Sequence, residues 1–88
     1  VNKITKSYKL YQYYACPFCV KVRRFLKRES LYIELIDAKN NFFKKDLMQN
    51  GGMLKVPCLR VDLKNNEVKW IYESDQIISF LSKKIEYK

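Results

Sequence analysis

The stretch YYACPFCVKVRRFL, residues 13–26, decides how the chain is read. Cys16 and Cys19 stand two residues apart, with Pro17 and Phe18 between them. From here on the apolar residues change period. Cys19, Val22, Phe25 and Leu26 fall on one face of a helix over about residues 17–29. Lys21, Arg24, Lys27 and Arg28 cover its wet face. Pro17 suits the first helical turn, where a missing N–H is no loss. Upstream, YKLYQYY (residues 8–14) reads as a strand rich in aromatic side chains. Cys16 therefore lies where a strand gives way to a helix.

That place carries chemistry. Only a thiolate attacks a disulfide or binds a metal. The unpaired N–H groups and the dipole at a helix start stabilise a negative sulfur. Cys16, at the helix start, is the expected nucleophile. Cys19, one turn later and deeper, is the expected resolving thiol. A zinc site is not expected, because structural zinc takes four Cys or His ligands. The chain has no His and one other cysteine, Cys58. Two inert core cysteines are the plain alternative, and the position of Cys16 at a helix start argues against it.

The rest of the chain fits around this unit. YIELID (residues 32–37) is a second strand, and strand–helix–strand makes a βαβ unit with parallel strands. NNFFKKDLMQN (residues 40–50) is a short helix with Phe43 and Leu47 inward, ended by Gly51-Gly52. VPCLRV (residues 56–61) and VKWIY (residues 68–72) form a hairpin around an Asn65-Asn66 turn. Ser74 caps a last helix over residues 75–84, with Ile77, Ile78 and Leu81 against the sheet. The expectation is one α/β domain spanning residues 1–88.

The 88 residues include 18 Lys+Arg against 9 Asp+Glu, a formal charge of +9. This excess is spread along the whole chain, so it reads as biased composition rather than a nucleic-acid patch. No apolar run nears the ~20 residues of a membrane helix. Neither nucleic acid nor membrane is an expected partner. Three cysteines, two of them paired by spacing, do not make a secreted disulfide framework. They fit a reducing compartment with a working thiol pair; a cytoplasmic monomer is the expectation.

YQYYACPFCVKVR (residues 11–23), KVPCL (residues 55–59) and YESDQII (residues 72–78), in this order, resemble the glutaredoxins. The chain is also similar to the amino-terminal domain of glutathione transferases and to the glutaredoxin-like domain of membrane-associated prostaglandin E synthase type 2. The resemblance implies a thioredoxin-like fold, a four-stranded mixed sheet of order 2-1-3-4 flanked by three helices. It implies a cis Val56-Pro57 bond facing the cysteines, which sequence pattern alone does not set. It also implies glutathione as reducing co-substrate, with no tightly bound cofactor. Val56 would pair its backbone with the cysteinyl part, while Ser74 and Asp75 would receive the γ-glutamyl end. A helix start suits a carboxylate, though Ser74-Asp75 is also simply a good cap. Glu73 resembles the acidic or amide residue before that serine.

The chain departs from the pattern at three places. Tyr13 replaces a lysine common before the first cysteine, and is kept with the glutathione-binding set. Lys55 replaces a threonine. It stands either as a solvated loop lysine or as a charge near Cys16 or a glutathione carboxylate. Phe18 replaces the usual tyrosine. Cys58 reads as a buried, inert thiol, with redox regulation as the alternative. The expected activity is reduction of protein–glutathione mixed disulfides and protein disulfides. A transferase-like or synthase-like domain and a glutathione-ligated iron–sulfur carrier are the alternatives. The first calls for a further helical domain, and Pro17 disfavours the second.

Overall fold

A computed structural model describes residues 3–63 and 66–85. Its elements run β1 (Lys3–Gln12), α1 (Pro17–Arg28), β2 (Leu31–Asp37), α2 (Asn41–Gly51), β3 (Cys58–Asp62), β4 (Val68–Tyr72) and α3 (Ser74–Ile85). The four strands form one sheet in the order β2-β1-β3-β4. β2 runs parallel to β1, whereas β3 is antiparallel to both β1 and β4. This is the mixed 2-1-3-4 sheet expected above.

Strand alternation sorts the core into two layers. Leu10 faces one side of β1, in register with Leu59 of β3; Tyr11 faces the other, in register with Cys58. Leu10 and Leu59 pack with Val22, Phe25 and Leu26 of α1 and Ile77 and Leu81 of α3. Tyr11 and Cys58 pack with Ile36, Ala38 and Leu47 of α2. Thus α1 and α3 cover one face and α2 the other. Leu10, Val22, Leu47, Leu59 and Ile77 are all fully buried.

Three boundaries differ from the sequence reading. β1 stops at Gln12 instead of reaching Tyr14, and extends back to Lys3, where it pairs with Leu31 of β2. Tyr13 and Tyr14 leave the sheet to turn into α1. Of the three tyrosines Tyr11 is core, Tyr13 is half-buried, and Tyr14 is exposed. β3 begins at Cys58 rather than Val56, because Pro57 has no N–H for the ladder; the Val56-Pro57 bond is cis. Ser74 is the first residue of α3 rather than its cap. The Glu73 carbonyl accepts the first helical bond, from the Ile77 N–H at 3.0 Å, so Glu73 holds the cap position at φ 75°. In the β3–β4 turn the Leu63 N–H reaches the Glu67 carbonyl at 2.8 Å. Asn65 lies outside the described residues.

α2 has side-chain and glycine stops. Asn40 caps it, its side chain accepting from the Phe42 N–H at 2.9 Å. Gly52, at φ 92°, ends it and donates to the Met48 carbonyl at 3.1 Å. A side chain on Gly51 would run into the Tyr72 hydroxyl and the Trp70 ring, so α2 and β4 approach closely there.

Candidate functional site

The site is built on the start of α1. Cys16 is the residue before Pro17, with extended backbone (φ −73°, ψ 125°). Its carbonyl already accepts from the Val20 N–H at 2.9 Å, while its own N–H donates to the Tyr13 carbonyl at 3.3 Å. The sulfur is thus held at the helix start, half-buried, with access to solvent. Cys19 is fully buried, its sulfur accepting from the Tyr13 N–H at 3.4 Å.

The two thiols are driven apart in acidity. Burial pushes the Cys16 thiol up, but this is outweighed by the Cys19 backbone N–H, the Cys19 thiol, the Phe18 backbone N–H and the positive Arg23, so its pKa is lowered overall. For Cys19, burial dominates and Cys16 adds to it; its pKa is pushed up to about 11. Cys16 is thus the more acidic of the pair, and Cys19 the one that holds its proton. Cys58 is fully buried, and burial pushes it up to about 12, in keeping with the expected inert thiol.

Lys55, Val56, Pro57, Ser74 and Asp75 come together along one groove of about 300 Å³. Phe18, Lys21 and Glu73 complete its walls. That volume reaches the lower end of the small-molecule range. Lys55 pairs with Glu73 and Lys21 with Asp75 across the groove. All four side chains are at least half exposed, so each pair contributes about 0–1 kcal/mol and can open to a charged ligand. Lys55 is thus half exposed and paired with Glu73 at the groove. Tyr13 does not line the groove. Its half-buried ring packs towards the Tyr11–Leu47 layer, with the Lys39 ammonium 5.8 Å from its centre.

Two residues of the site were not read from the sequence. Arg23 reaches the carbonyls of Tyr13 and Tyr14, and the side chain of Gln12. Its spacing from Cys16 and Cys19, seven and four residues, places it on the cysteine side of α1. That spacing was the available signal. Gln12 is fully buried at the end of β1, and nothing local marks it. On the opposite face, Tyr11 donates to Asp46, and Arg60 pairs with Asp62 at 2.9 Å and lies over Trp70. This network joins β1, α2, β3 and β4 away from the cysteine pair.

A 2-1-3-4 sheet with a Cys-Pro-Phe-Cys turn opening α1 and a cis proline before β3 is a thioredoxin-like fold. Solved structures agree. A thioredoxin-like protein, crystallised in mutant form, superposes with a TM-score of 0.71 at 24% identity, covering 96% of this chain and 100% of that one. The glutaredoxin of Brucella melitensis gives 0.58 at 14% identity, over 89% of this chain and 80% of its own. A Plasmodium falciparum thioredoxin gives 0.55 at 16% identity, over 93% of this chain and 71% of its own. The family model described as Glutaredoxin matches residues 8–64. The chain belongs to the glutaredoxin family. Prostaglandin E synthase 2 of Mus musculus is 36% identical over 72 residues, which are 82% of this chain but 18% of that protein. The chain thus spans less than a fifth of that relative's length. Family and fold support a thiol oxidoreductase type of function. Among the described residues, no helix is long and apolar enough to cross a membrane.

Proposed function

We propose that the chain is a glutathione-dependent thiol–disulfide oxidoreductase in which Cys16 attacks and Cys19 resolves. The supporting observation is the unequal pair: a half-exposed Cys16 of lowered pKa at a helix start, backed by a buried Cys19 held near 11. The Cys16 thiolate attacks the glutathionyl sulfur of a protein–glutathione disulfide. That S–S bond breaks, the Cys16–glutathione bond forms, and the protein leaves as a thiolate that takes a proton. A second glutathione thiolate then attacks the glutathionyl sulfur on Cys16. Glutathione disulfide departs and the Cys16 thiolate returns, so both electrons come from glutathione. With a protein disulfide, Cys16 forms a mixed disulfide with one protein sulfur. Cys19 loses its proton as it displaces that sulfur, leaving a Cys16–Cys19 disulfide for two glutathiones to reduce.

The groove that Phe18, between the two cysteines, helps to line is the glutathione site in this reading. Val56 offers backbone to the cysteinyl part. Ser74 and Asp75 take the γ-glutamyl end at the start of α3, where N–H groups face a carboxylate. Lys21 and Lys55 exchange their carboxylate partners for those of the ligand. The positive chain favours approach of this anion. The partners are glutathione and disulfide-bearing proteins, met by a monomer.

A glutathione-coupled reductase assay on parent, C16S and C19S proteins tests the reading. C16S loses both reactions. C19S loses most protein-disulfide reduction but keeps turnover of glutathionylated substrate, and takes one glutathione on Cys16 from glutathione disulfide. An active C16S, or glutathione found on Cys58, overturns the assignment. The match to a prostaglandin synthase favours a second reading, a glutathione-holding domain that serves a synthase or transferase reaction. That reading expects glutathione binding with little disulfide reductase activity in the parent.

A further inference from the structure

Arg23 sits two turns into α1, and helix side chains lean towards the amino terminus. It therefore reaches back over the turn that leads into Cys16. Its Nη2 donates to the Tyr14 carbonyl at 2.8 Å and its Nη1 to the Tyr13 carbonyl at 3.3 Å. The Tyr13 carbonyl is the same one that accepts from the Cys16 N–H. Behind it, Nη1 also donates to Oε1 of the fully buried Gln12, and the Tyr14 ring lies 5.1 Å from the guanidinium carbon. The fork thus joins the end of β1, the whole turn and α1.

Its partners are neutral. Among the described residues Arg23 enters no ion pair, whereas Lys21 and Lys55 are each held by a carboxylate. Glu34 of β2 lines the same cavity as Arg23 without an ion-pair contact to it, and Lys27 of α1 there carries a like charge. A guanidinium bound to carbonyls keeps its full charge, and it is never deprotonated. Gln12 keeps a cost of its own, since its buried Nε2 has no partner. A buried, unpaired amide donor is unfavourable. A glutamate of the same size would satisfy Arg23 at least as well in hydrogen bonds, but would cancel its charge.

We infer that Arg23 is a positioning residue for Cys16: it clips the Tyr13–Tyr14 turn to α1 through carbonyls and, held by neutral Gln12, leaves its whole positive charge to the nucleophile. The inference rests on Cys16 being the nucleophile. The same charge is among the causes that lower the Cys16 thiol.

The experiment is the pH profile of iodoacetamide labelling at Cys16, mapped by peptide mass spectrometry, in parent, R23M, R23K and Q12E proteins. Circular dichroism melting runs alongside. Q12E keeps the fork and neutralises the charge, so its Cys16 midpoint rises by about 0.5 pH unit or more. R23M rises at least as far, and R23K, with charge but no fork, lies between R23M and parent. A merely structural clip would move the melting temperature and leave the midpoint in place. Folded Q12E with the parental midpoint overturns the inference, whether or not R23M folds. If Cys16 is not the fastest-labelled thiol in the parent itself, the functional reading fails instead, so the two failures are distinct.

Discussion

At pH 7 the folded protein should be alkylated at Cys16 well before its other two thiols, and the margin can be worked out. A thiol at the ordinary 9.0 is ~1% thiolate at this pH, and one at about 11 is ~0.01%. Thiolate populations alone therefore favour Cys16 by at least ~100-fold over Cys19. Intrinsic nucleophilicity works the other way. With a Brønsted slope of about 0.45, two pKa units make the Cys19 thiolate ~8-fold more reactive per ion. The population term wins, and a net preference of ~10-fold remains as a floor. It is a floor for two reasons. The Cys16 value lies below 9.0, and each unit lost there gains more thiolate than it costs in nucleophilicity. Cys19 and Cys58 are also fully buried, which slows any reagent further. Limiting iodoacetamide, quenching at timed intervals and peptide mapping give the three rates. Raising pH should increase the Cys16 rate to a plateau with a midpoint below 9. Cys19 or Cys58 labelling as fast as Cys16 in folded protein would refute the reasoning, because it would mean that burial and the helix start do not separate the thiols.

Other expectations concern stability and the groove. Folded Cys58 holds its proton up to about 12, against 9.0 for the exposed thiol, with Cys19, Tyr11 and Tyr72 likewise raised. Between these values the unfolded chain binds fewer protons than the folded one. The stabilisation is complete below pH 9 and falls by up to about 1.4 kcal/mol per pH unit for Cys58 alone as pH rises towards 12. Urea midpoints at pH 8, 9 and 10 should fall, and C58S should flatten the decline. Ser30 follows the end of α1 at φ 56°, donating to the Lys27 carbonyl at 3.2 Å. S30G should raise stability by about 0.5–1 kcal/mol in urea titration, since glycine takes this backbone without strain. D75K breaks an exposed pair and puts a positive charge beside Lys21 in the first turn of α3, so the melting temperature should fall only slightly, while the KM for glutathione rises. An unchanged KM would return Asp75 to a helix-start residue with no part in binding.

The sequence alone was enough for the order of the elements because its signals are local and periodic. The period change after Cys16, the alternation of VKWIY and the Gly51-Gly52 stop each follow from geometry within one element. The helix face of Cys19, Val22, Phe25 and Leu26 was legible for the same reason, and all four are buried. The roles expected of Cys16 and Cys19 were read from which of them opens the helix, and the structure places Cys16 at that helix start with Cys19 buried one turn on. Family resemblance added the sheet order and the cis Val56-Pro57 bond, neither of which spacing can set. What remained hidden depends on chain segments distant in sequence. The pairing of Lys55 with Glu73 and of Lys21 with Asp75 forms only once β3 and α3 are brought against the start of α1. The cap of α3 moved from Ser74 to Glu73 because the turn out of β4 gives Glu73 a left-handed backbone and hands its carbonyl to Ile77. Tyr13 left the groove because β1 ends at Gln12 and its ring turns to the α2 side. Arg23 looked like one more surface cation among the eighteen basic residues. Only the packing of α1 across the end of β1 brings its guanidinium to the carbonyls of Tyr13 and Tyr14, because hydrogen-bond partners ten and nine residues away are chosen by the fold and not by the local pattern.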